Sequence, residues 1–227
     1  MRRVRGAAPD RRPACHGAVV SDLLVLSGPP GAGKSTVAAA LVPSFDRAAL
    51  VPGDDFFAFW TRGAVAPWLP EASEQNTLVL RAAAAAAATL AAGGCPVVYD
   101  GVLGPWSLPA VAREAAHQGL RVPGELHYAL LVPPLERCQR QVAQRTGHGF
   151  TDAAATAHMH ADFSAALADV EARHVLLDPP GAPGDVAALL LERYRAGDLR
   201  YDPPAEPGAA QHARPRPARR GPSWSPR

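Results

Sequence analysis

The sequence predicts an α/β fold in which a five-stranded parallel sheet is flanked by helices. Short apolar runs alternate with segments of helical composition, the pattern of strands joined by helical crossovers. The first run, residues 22–27, is short, apolar between its ends and followed by glycine, as in a buried parallel strand. A glycine-rich segment directly follows the first run. The segment therefore lies at the carboxyl ends of the strands, which is where ligands bind in a parallel sheet.

Strands and helices follow one another in order along the central part of the chain. The predicted strands are residues 22–27, 47–52, 96–100, 125–132 and 174–178. The predicted helices are residues 35–42, 71–92, 107–118, 134–146, 152–172 and 184–196. The second helix contains seven consecutive alanines, whose small side chains allow close packing on a sheet, and it ends at Gly93 and Gly94, which stop helices. Residues 60–70, with Gly63, are predicted to be loop.

Charge and composition divide the chain into three parts. Residues 1–20 are a basic leader and residues 197–227 are a tail rich in Pro and Arg, and both are predicted to be disordered. Residues 21–196 form the predicted domain, which carries a slight excess of acidic groups and therefore disfavours nucleic acid as a partner. Three scattered cysteines argue against a disulfide framework, and no apolar run approaches the ~20 residues of a membrane span. The chain is expected to be cytoplasmic, as a monomer or homodimer.

A phosphate-binding loop is predicted between the first strand and the first helix. Its pattern is G-x-x-x-x-G-K-[ST]. It comprises Gly28, Pro29, Pro30, Gly31, Ala32, Gly33, Lys34, Ser35 and Thr36. Its glycines let backbone N–H groups turn towards the phosphates of ATP, and the helix N-terminus adds positive potential. Lys34 is the only lysine among 22 arginines, and its compact ammonium is predicted to contact the β- and γ-phosphates. The hydroxyl of Ser35 is predicted to hold Mg²⁺.

Carboxylates lie where the second and third strands end. Asp54 and Asp55 can accept a hydroxyl proton and help to hold Mg²⁺. Asp100 can bind Mg²⁺ through water or contact the substrate. The alternatives are that Asp54 caps the following turn or helix, that Asp100 caps a turn, and that Asp55 faces solvent.

Aromatic residues and one amide are candidates for the wall of a substrate pocket. They are Phe57, Trp60, Trp68, Asn76 and Trp106. The alternative for the aromatic residues is the core. For Asn76, which follows Gln75, helix capping competes with hydrogen bonding to a polyol or sugar.

An arginine-bearing lid is predicted after the fourth strand. Arg137, Arg140 and Arg145 fall within an arc of about 140° on one helix, and Gly147 and Gly149 can act as hinges. Arginines over the phosphates neutralise charge on the transferring phosphoryl group. The alternative is a solvated charged face.

These motifs resemble the P-loop small-molecule kinases of the shikimate/gluconate kinase-like group over residues 22–195. The resembling segments are Gly53-Asp54-Asp55-Phe56, Pro67-Trp68-Leu69 and Arg145-Thr146-Gly147-His148. The run Asp54-Asp55-Phe56-Phe57 also resembles the acceptor motif of nicotinamide riboside kinases. The first Asp of that motif contacts the acceptor hydroxyls, so the resemblance favours Asp54 over Asp55 as the base. Chloramphenicol phosphotransferase-like and zeta-toxin-like kinases share the loop and an Asp after the second strand. The resemblance implies the strand order 2-3-1-4-5 and places residues 178–180 near adenine.

The sequence departs from gluconate kinases after the third strand. Residues 101–106 replace a Lys-Arg substrate segment, and the aromatic, lysine-free acceptor side disfavours a strongly anionic substrate. The predicted activity is the transfer of the γ-phosphate of ATP to a hydroxyl of a metabolite or antibiotic. The alternatives are an ATPase or nucleotide-dependent switch that acts on a partner protein, and a polynucleotide kinase.

Overall fold

A computed structural model describes residues 22–144, 150–179 and 181–203. Its centre is a parallel sheet of five strands in the order β2-β3-β1-β4-β5, which confirms the predicted fold class and strand order. The strands are β1 (Leu23–Ser27), β2 (Ala49–Pro52), β3 (Val97–Asp100), β4 (Leu126–Val132) and β5 (Val175–Leu177). The three middle strands are buried along their whole length, as apolar strands in a sheet covered on both faces must be.

Helices cover both faces of the sheet. They are α1 (Lys34–Leu41), α2 (Ser73–Ala92), α3 (Leu108–His117), α4 (Leu135–Ala143), α5 (Ala153–Ala165) and α6 (Pro183–Ala196). One hydrophobic core joins the sheet to α2, α3 and Phe163 of α5, and the other joins it to α1 and α6. The alanine run of α2 buries Ala83, Ala84, Ala87 and Ala88. The small side chains therefore lie at the interface with the sheet, as the sequence predicts.

Two helices are shorter than the sequence predicts. Helix α5 ends at Ala165 and is followed by short 3-10 segments, because Leu167 and Val170 turn back to pack against the core. Helix α4 ends at Ala143. The hinge residues 147–149 lie outside the described residues.

The packed part of the chain extends beyond the predicted boundary at residue 196. Strand β5 pairs only with Leu130–Val132 and leaves the first half of β4 uncovered on that side. The chain after α6 fills this edge: Tyr128 N–H donates to the carbonyl of Leu199, and Tyr201 N–H donates to Leu126, each at 2.8 Å. Leu199 is fully buried. The packed part of the chain therefore reaches at least Tyr201, and residues 1–20 and 204–227, the predicted leader and most of the predicted tail, lie outside the described residues.

Across the described ranges, every helix is too short or too polar to cross a bilayer.

Candidate active site

The glycine-rich loop after β1 is held against its neighbours by close backbone packing. Gly28 and Gly31 have φ values of +150° and +78°, which residues with a side chain rarely adopt. A Cβ on Gly28 would overlap the carbonyl of Leu131 on β4, and one on Gly31 would lie 2.9 Å from the Cα of Cys138 on α4. The loop is thus packed between β4 and α4, and two of its glycines have no space for a side chain.

Lys34 begins α1 and lies almost fully buried beneath the loop, with 4% of its surface exposed. Its Nζ donates to the carbonyl of Pro29 at 3.2 Å. Gly33 precedes the helix in a left-handed conformation, so the first N–H groups of α1 lie at the open end of the loop. Ser35 and Thr36 are exposed on the first turn. The arrangement presents an ammonium, a helix N-terminus and two hydroxyls at the place where phosphates are predicted to bind.

Asp100 and Asp54 lie beside this loop at the carboxyl edge of the sheet. Asp100 is the last residue of β3, in register with Leu26 of β1 and Pro52 of β2, and it is buried. Asp54 follows two residues after Pro52, and its Oδ1 accepts from the N–H of Val102 at 3.1 Å. Burial and the two nearby carboxylates raise the pKa of Tyr99 above its ordinary value. The sheet therefore brings both predicted acids to one edge.

Ser27 links the loop to the segment after β3. Its hydroxyl donates to the carbonyl of Leu103 and accepts from the N–H of Leu103 at 3.0 Å. Sequence reasoning missed this contact; the signal was a hydroxyl at the end of an apolar strand, directly before the glycine. The bond fixes residues 101–104, which follow Asp100, relative to the phosphate-binding loop.

A cavity of about 740 Å³ opens beside Pro30 of the loop. Five predicted site residues line it: Asp54, Phe57, Trp68, Asn76 and Trp106. Trp60 does not. It lies at the end of the 3-10 segment Gly53–Phe59, is 40% exposed, and is removed from the predicted pocket set. Asp55 is exposed on the same segment and does not line the cavity either.

Helix α5 supplies a wall of the cavity that sequence reasoning missed. The wall consists of His158, Met159, Asp162 and Phe163, with Phe150 just before the helix. The ring of Phe150 lies 4.9 Å from that of Trp68, and the ring of Phe163 lies 5.7 Å from that of Trp106. Aromatic pairs therefore join α5 to the loops on the acceptor side.

The two neighbouring amides at the start of α2 hold the loop before it. Gln75 donates to the carbonyl of Val65 at 2.7 Å and accepts from its N–H at 2.9 Å. Asn76 Nδ2 donates to the carbonyl of Pro67 at 2.7 Å. Neither amide caps α2, which has Ala72 at its N-cap and no side-chain cap. Asn76 thus both lines the cavity and fixes the segment that carries Trp68.

Arg137 lies at a second, smaller cavity of about 140 Å³. Its guanidinium donates to Asp178 Oδ1 at 3.1 Å and to the carbonyl of Pro179 at 3.4 Å. The cavity also adjoins Gly33 and Thr36, so the loop after β5 meets the phosphate-binding loop there. Arg140 is exposed on α4. Arg145 lies outside the described residues.

The oxygen atoms near the loop suit Mg²⁺. The Ser35 hydroxyl and the Asp100 carboxylate are hard oxygen donors, and Mg²⁺ sites in phosphotransferases use one or two such groups together with substrate phosphates. Within the part of the chain that the structure describes, no group of three or more His, Cys, Asp or Glu residues is arranged to hold a metal ion. The site therefore fits a metal ion that arrives with a nucleotide rather than one held by protein ligands alone.

A family model described as "AAA domain" matches residues 23–170. No curated protein matches the chain by sequence. The matched residues contain the phosphate-binding loop, both acids and helix α5.

Solved structures with the same fold include several kinases. Shikimate kinase from Acinetobacter baumannii in complex with shikimate has 17% identity over 79% of this chain and 96% of its own, with a TM-score of 0.52. A sugar kinase from a Janibacter species has 20% identity over 77% and 94%, with a TM-score of 0.56. The tunicamycin resistance protein of Deinococcus radiodurans has 14% identity over 81% and 99%, with a TM-score of 0.54. These similarities show the fold of the shikimate/gluconate kinase-like P-loop group.

Proposed function

The chain belongs to the family described as an AAA domain, and on that premise we propose that it transfers the γ-phosphate of ATP to a hydroxyl group of a small molecule, a metabolite or an antibiotic. One observation carries the proposal. The carboxylate of Asp54 lines a cavity that reaches Pro30 of the phosphate-binding loop. A hydroxyl in that cavity can lie between a proton acceptor and a bound phosphate, as phosphoryl transfer requires.

Asp54 is the proposed proton acceptor. It takes the proton of the acceptor hydroxyl as the hydroxyl oxygen bonds to the γ-phosphorus and the bond from phosphorus to ADP breaks. The bond from Val102 N–H holds the carboxylate in place and leaves its second oxygen for the substrate. Asp55, which is exposed and outside the cavity, is not needed for this step.

Positive groups around the loop stabilise the phosphates in this proposal. Lys34 and the N-terminus of α1 contact the β- and γ-phosphates. Arg137 lies with Gly33, Thr36 and Pro179 at the smaller cavity, which suits the base and ribose end of the nucleotide. Arg140 and Arg145 are left as the lid arginines for the transferring phosphoryl group.

Ser35 and Asp100 would hold Mg²⁺, and Asp55, which is exposed and outside the cavity, is given no part in the site. The ion would neutralise charge on the β- and γ-phosphate oxygens. The scattered cysteines support a cytoplasmic location, and we propose that the chain is a monomer or homodimer.

Product analysis tests the proposal. The full chain is incubated with ATP, Mg²⁺ and a pooled library of sugars, nucleosides, amino alcohols and antibiotics, and products are identified by mass. We expect one acceptor class to gain a phosphoryl group, Lys34→Met to abolish the product, and Arg47→Met, which removes an exposed cation before β2, to preserve it. Phosphorylation of an oligonucleotide alone, or ATP hydrolysis that no acceptor stimulates, would contradict the proposal in favour of the polynucleotide kinase or the ATPase.

A further inference from the structure

We propose that the acceptor is an alcohol of drug-like size that carries a protonated amine beside an aromatic or apolar body, and that Asp162 binds the amine. This inference rests on the proposed function, because it assigns the substrate class of the same cavity. It goes beyond that function in naming the charge and shape of the acceptor and the residue that recognises its charge.

The charge of the cavity wall favours a cation. The titratable residues that line it are Asp54, Tyr99, His158 and Asp162, and none of the described residues of the wall is Arg or Lys. Asp54 is occupied by the N–H of Val102 and by the hydroxyl that reacts. Asp162 is therefore the carboxylate that remains for a second group of the acceptor. An anionic acceptor would meet two carboxylates and no described counter-charge.

Asp162 is accessible and weakly engaged within the protein. Its side chain is 49% exposed, and among the described residues its ion-pair partner is His158 Nε2 at 3.7 Å, one helical turn earlier. That distance exceeds the usual length of a hydrogen bond, so the carboxylate keeps room for a donor at shorter range. A primary ammonium supplies up to three such donors.

The aromatic residues favour an apolar body next to that cation. Trp68 and Trp106 line the cavity, and each is braced by a phenylalanine, Phe150 or Phe163. Ring faces attract cations within about 6 Å of the ring centre, and they bury flat apolar surface. A polyol without an apolar face would leave these rings in contact with water.

The size of the cavity favours an acceptor larger than the smallest metabolites. Its volume is about 740 Å³. Pockets of roughly 300–1,000 Å³ hold drug-sized ligands and bury most of their surface. A three- or six-carbon sugar acid would occupy a minor part of this space and would meet few of the aromatic side chains.

Three probes on one scaffold separate charge from shape. They are biphenylalaninol, whose amine is protonated at neutral pH, its neutral N-acetyl derivative and its anionic N-succinyl derivative. Each is titrated by calorimetry into the full chain with a non-hydrolysable ATP analogue and Mg²⁺. We expect the amine to bind about tenfold more tightly than the N-acetyl compound, the low end for a hydrogen bond between charged groups at a half-exposed site. The N-succinyl compound should bind most weakly.

Two acid-to-amide variants locate the interaction. Asp162→Asn should remove the advantage of the amine while it changes the Kd of the N-acetyl compound by no more than about twofold. Asp169→Asn, which alters an exposed acid just after α5 and outside the cavity, should leave all three affinities unchanged. Equal loss of all three ligands in Asp162→Asn would assign Asp162 a structural role and overturn the proposal.

The remaining outcomes distinguish the substrate class from the activity. Binding of the N-acetyl or N-succinyl compound at least as tightly as the amine, or no binding of the amine at millimolar concentration, overturns the inference. Phosphorylation of a sugar acid that depends on Lys34 and Asp54 leaves the kinase activity standing and also overturns the inference. If the amine binds in the expected order but no hydroxyl is ever phosphorylated, the proposed function fails and the ligand class stands.

Discussion

Replacing Gly31 with alanine should destabilise the domain and weaken nucleotide binding. The residue adopts φ +78°, and an added Cβ would lie 2.8 Å from the carbonyl carbon of Cys138 and 2.9 Å from its Cα. Both atoms belong to the backbone of α4, which cannot rotate away as a flexible side chain can. Either the phosphate-binding loop or α4 must move.

The expected magnitude has two parts. A left-handed conformation costs a residue with a side chain about 1–2 kcal/mol. Forcing a methyl group into a packed site costs typically about 1–3 kcal/mol more. Gly63 separates the two, because its φ is +71° and a Cβ there would have no atom within 4 Å. Gly63→Ala should therefore show the conformational cost alone.

Thermal unfolding without nucleotide measures the difference. For a chain of this size about 1 kcal/mol corresponds to roughly 2–4 °C, so Gly31→Ala should unfold at least about 2 °C, and up to about 12 °C, below Gly63→Ala. The Kd for an ATP analogue, measured where both variants are folded, should rise only for Gly31→Ala. Equal melting temperatures and equal affinities would refute the packing of the loop against α4.

Two further predictions concern the cavity and the core. Trp106→Ala should raise the Kd of an aromatic acceptor about three- to tenfold in a calorimetric titration, because Trp106 lines the cavity. Trp60→Ala, at a tryptophan outside the cavity, should leave that Kd unchanged. Equal effects of the two substitutions would contradict the assignment of Trp106 to the cavity wall. Burial lowers the pKa of His174, whose Nδ1 lies 2.9 Å from the carbonyl of Tyr128. Because the unfolded state then binds more protons, the free energy of unfolding should fall as the pH drops from about 6.5 through the lower pKa of the folded state. In urea unfolding at a series of pH values, His174→Asn should show a weaker fall of this free energy over that range. Parallel dependences on pH in the two proteins would refute this reasoning.

The fold was predictable because its signals are local. The middle strands are short and mostly apolar, and the glycine-rich loop lies between the first strand and the first helix. The strand order came from the resemblance alone and is confirmed. The position of Leu199–Tyr201 was not predictable, because it depends on how few residues β5 covers on the edge of β4.

The acceptor side was predictable in part. Asp54 and Asp100 come to the same edge of the sheet because one follows and the other ends neighbouring parallel strands, so chain position was enough to bring them there. Trp60 was misplaced because composition identifies an aromatic cluster but not which rings turn towards a cavity. The wall from α5 was missed because Asp162 and Phe163 reach the cavity by tertiary packing, which no periodicity within α5 reports.

A comparison of two neighbouring carboxylates tests the central claim most directly. Asp54→Asn keeps an oxygen for the N–H of Val102 but cannot take a proton from the acceptor, whereas Asp55→Asn changes an exposed side chain outside the cavity. The measurement is the single-turnover rate of phosphoryl transfer from ATP to the acceptor. The account predicts a loss of about 10²–10⁴-fold for Asp54→Asn and less than about tenfold for Asp55→Asn, with ATP affinity unchanged in the former. Full transfer by Asp54→Asn, or a larger loss for Asp55→Asn, would contradict it.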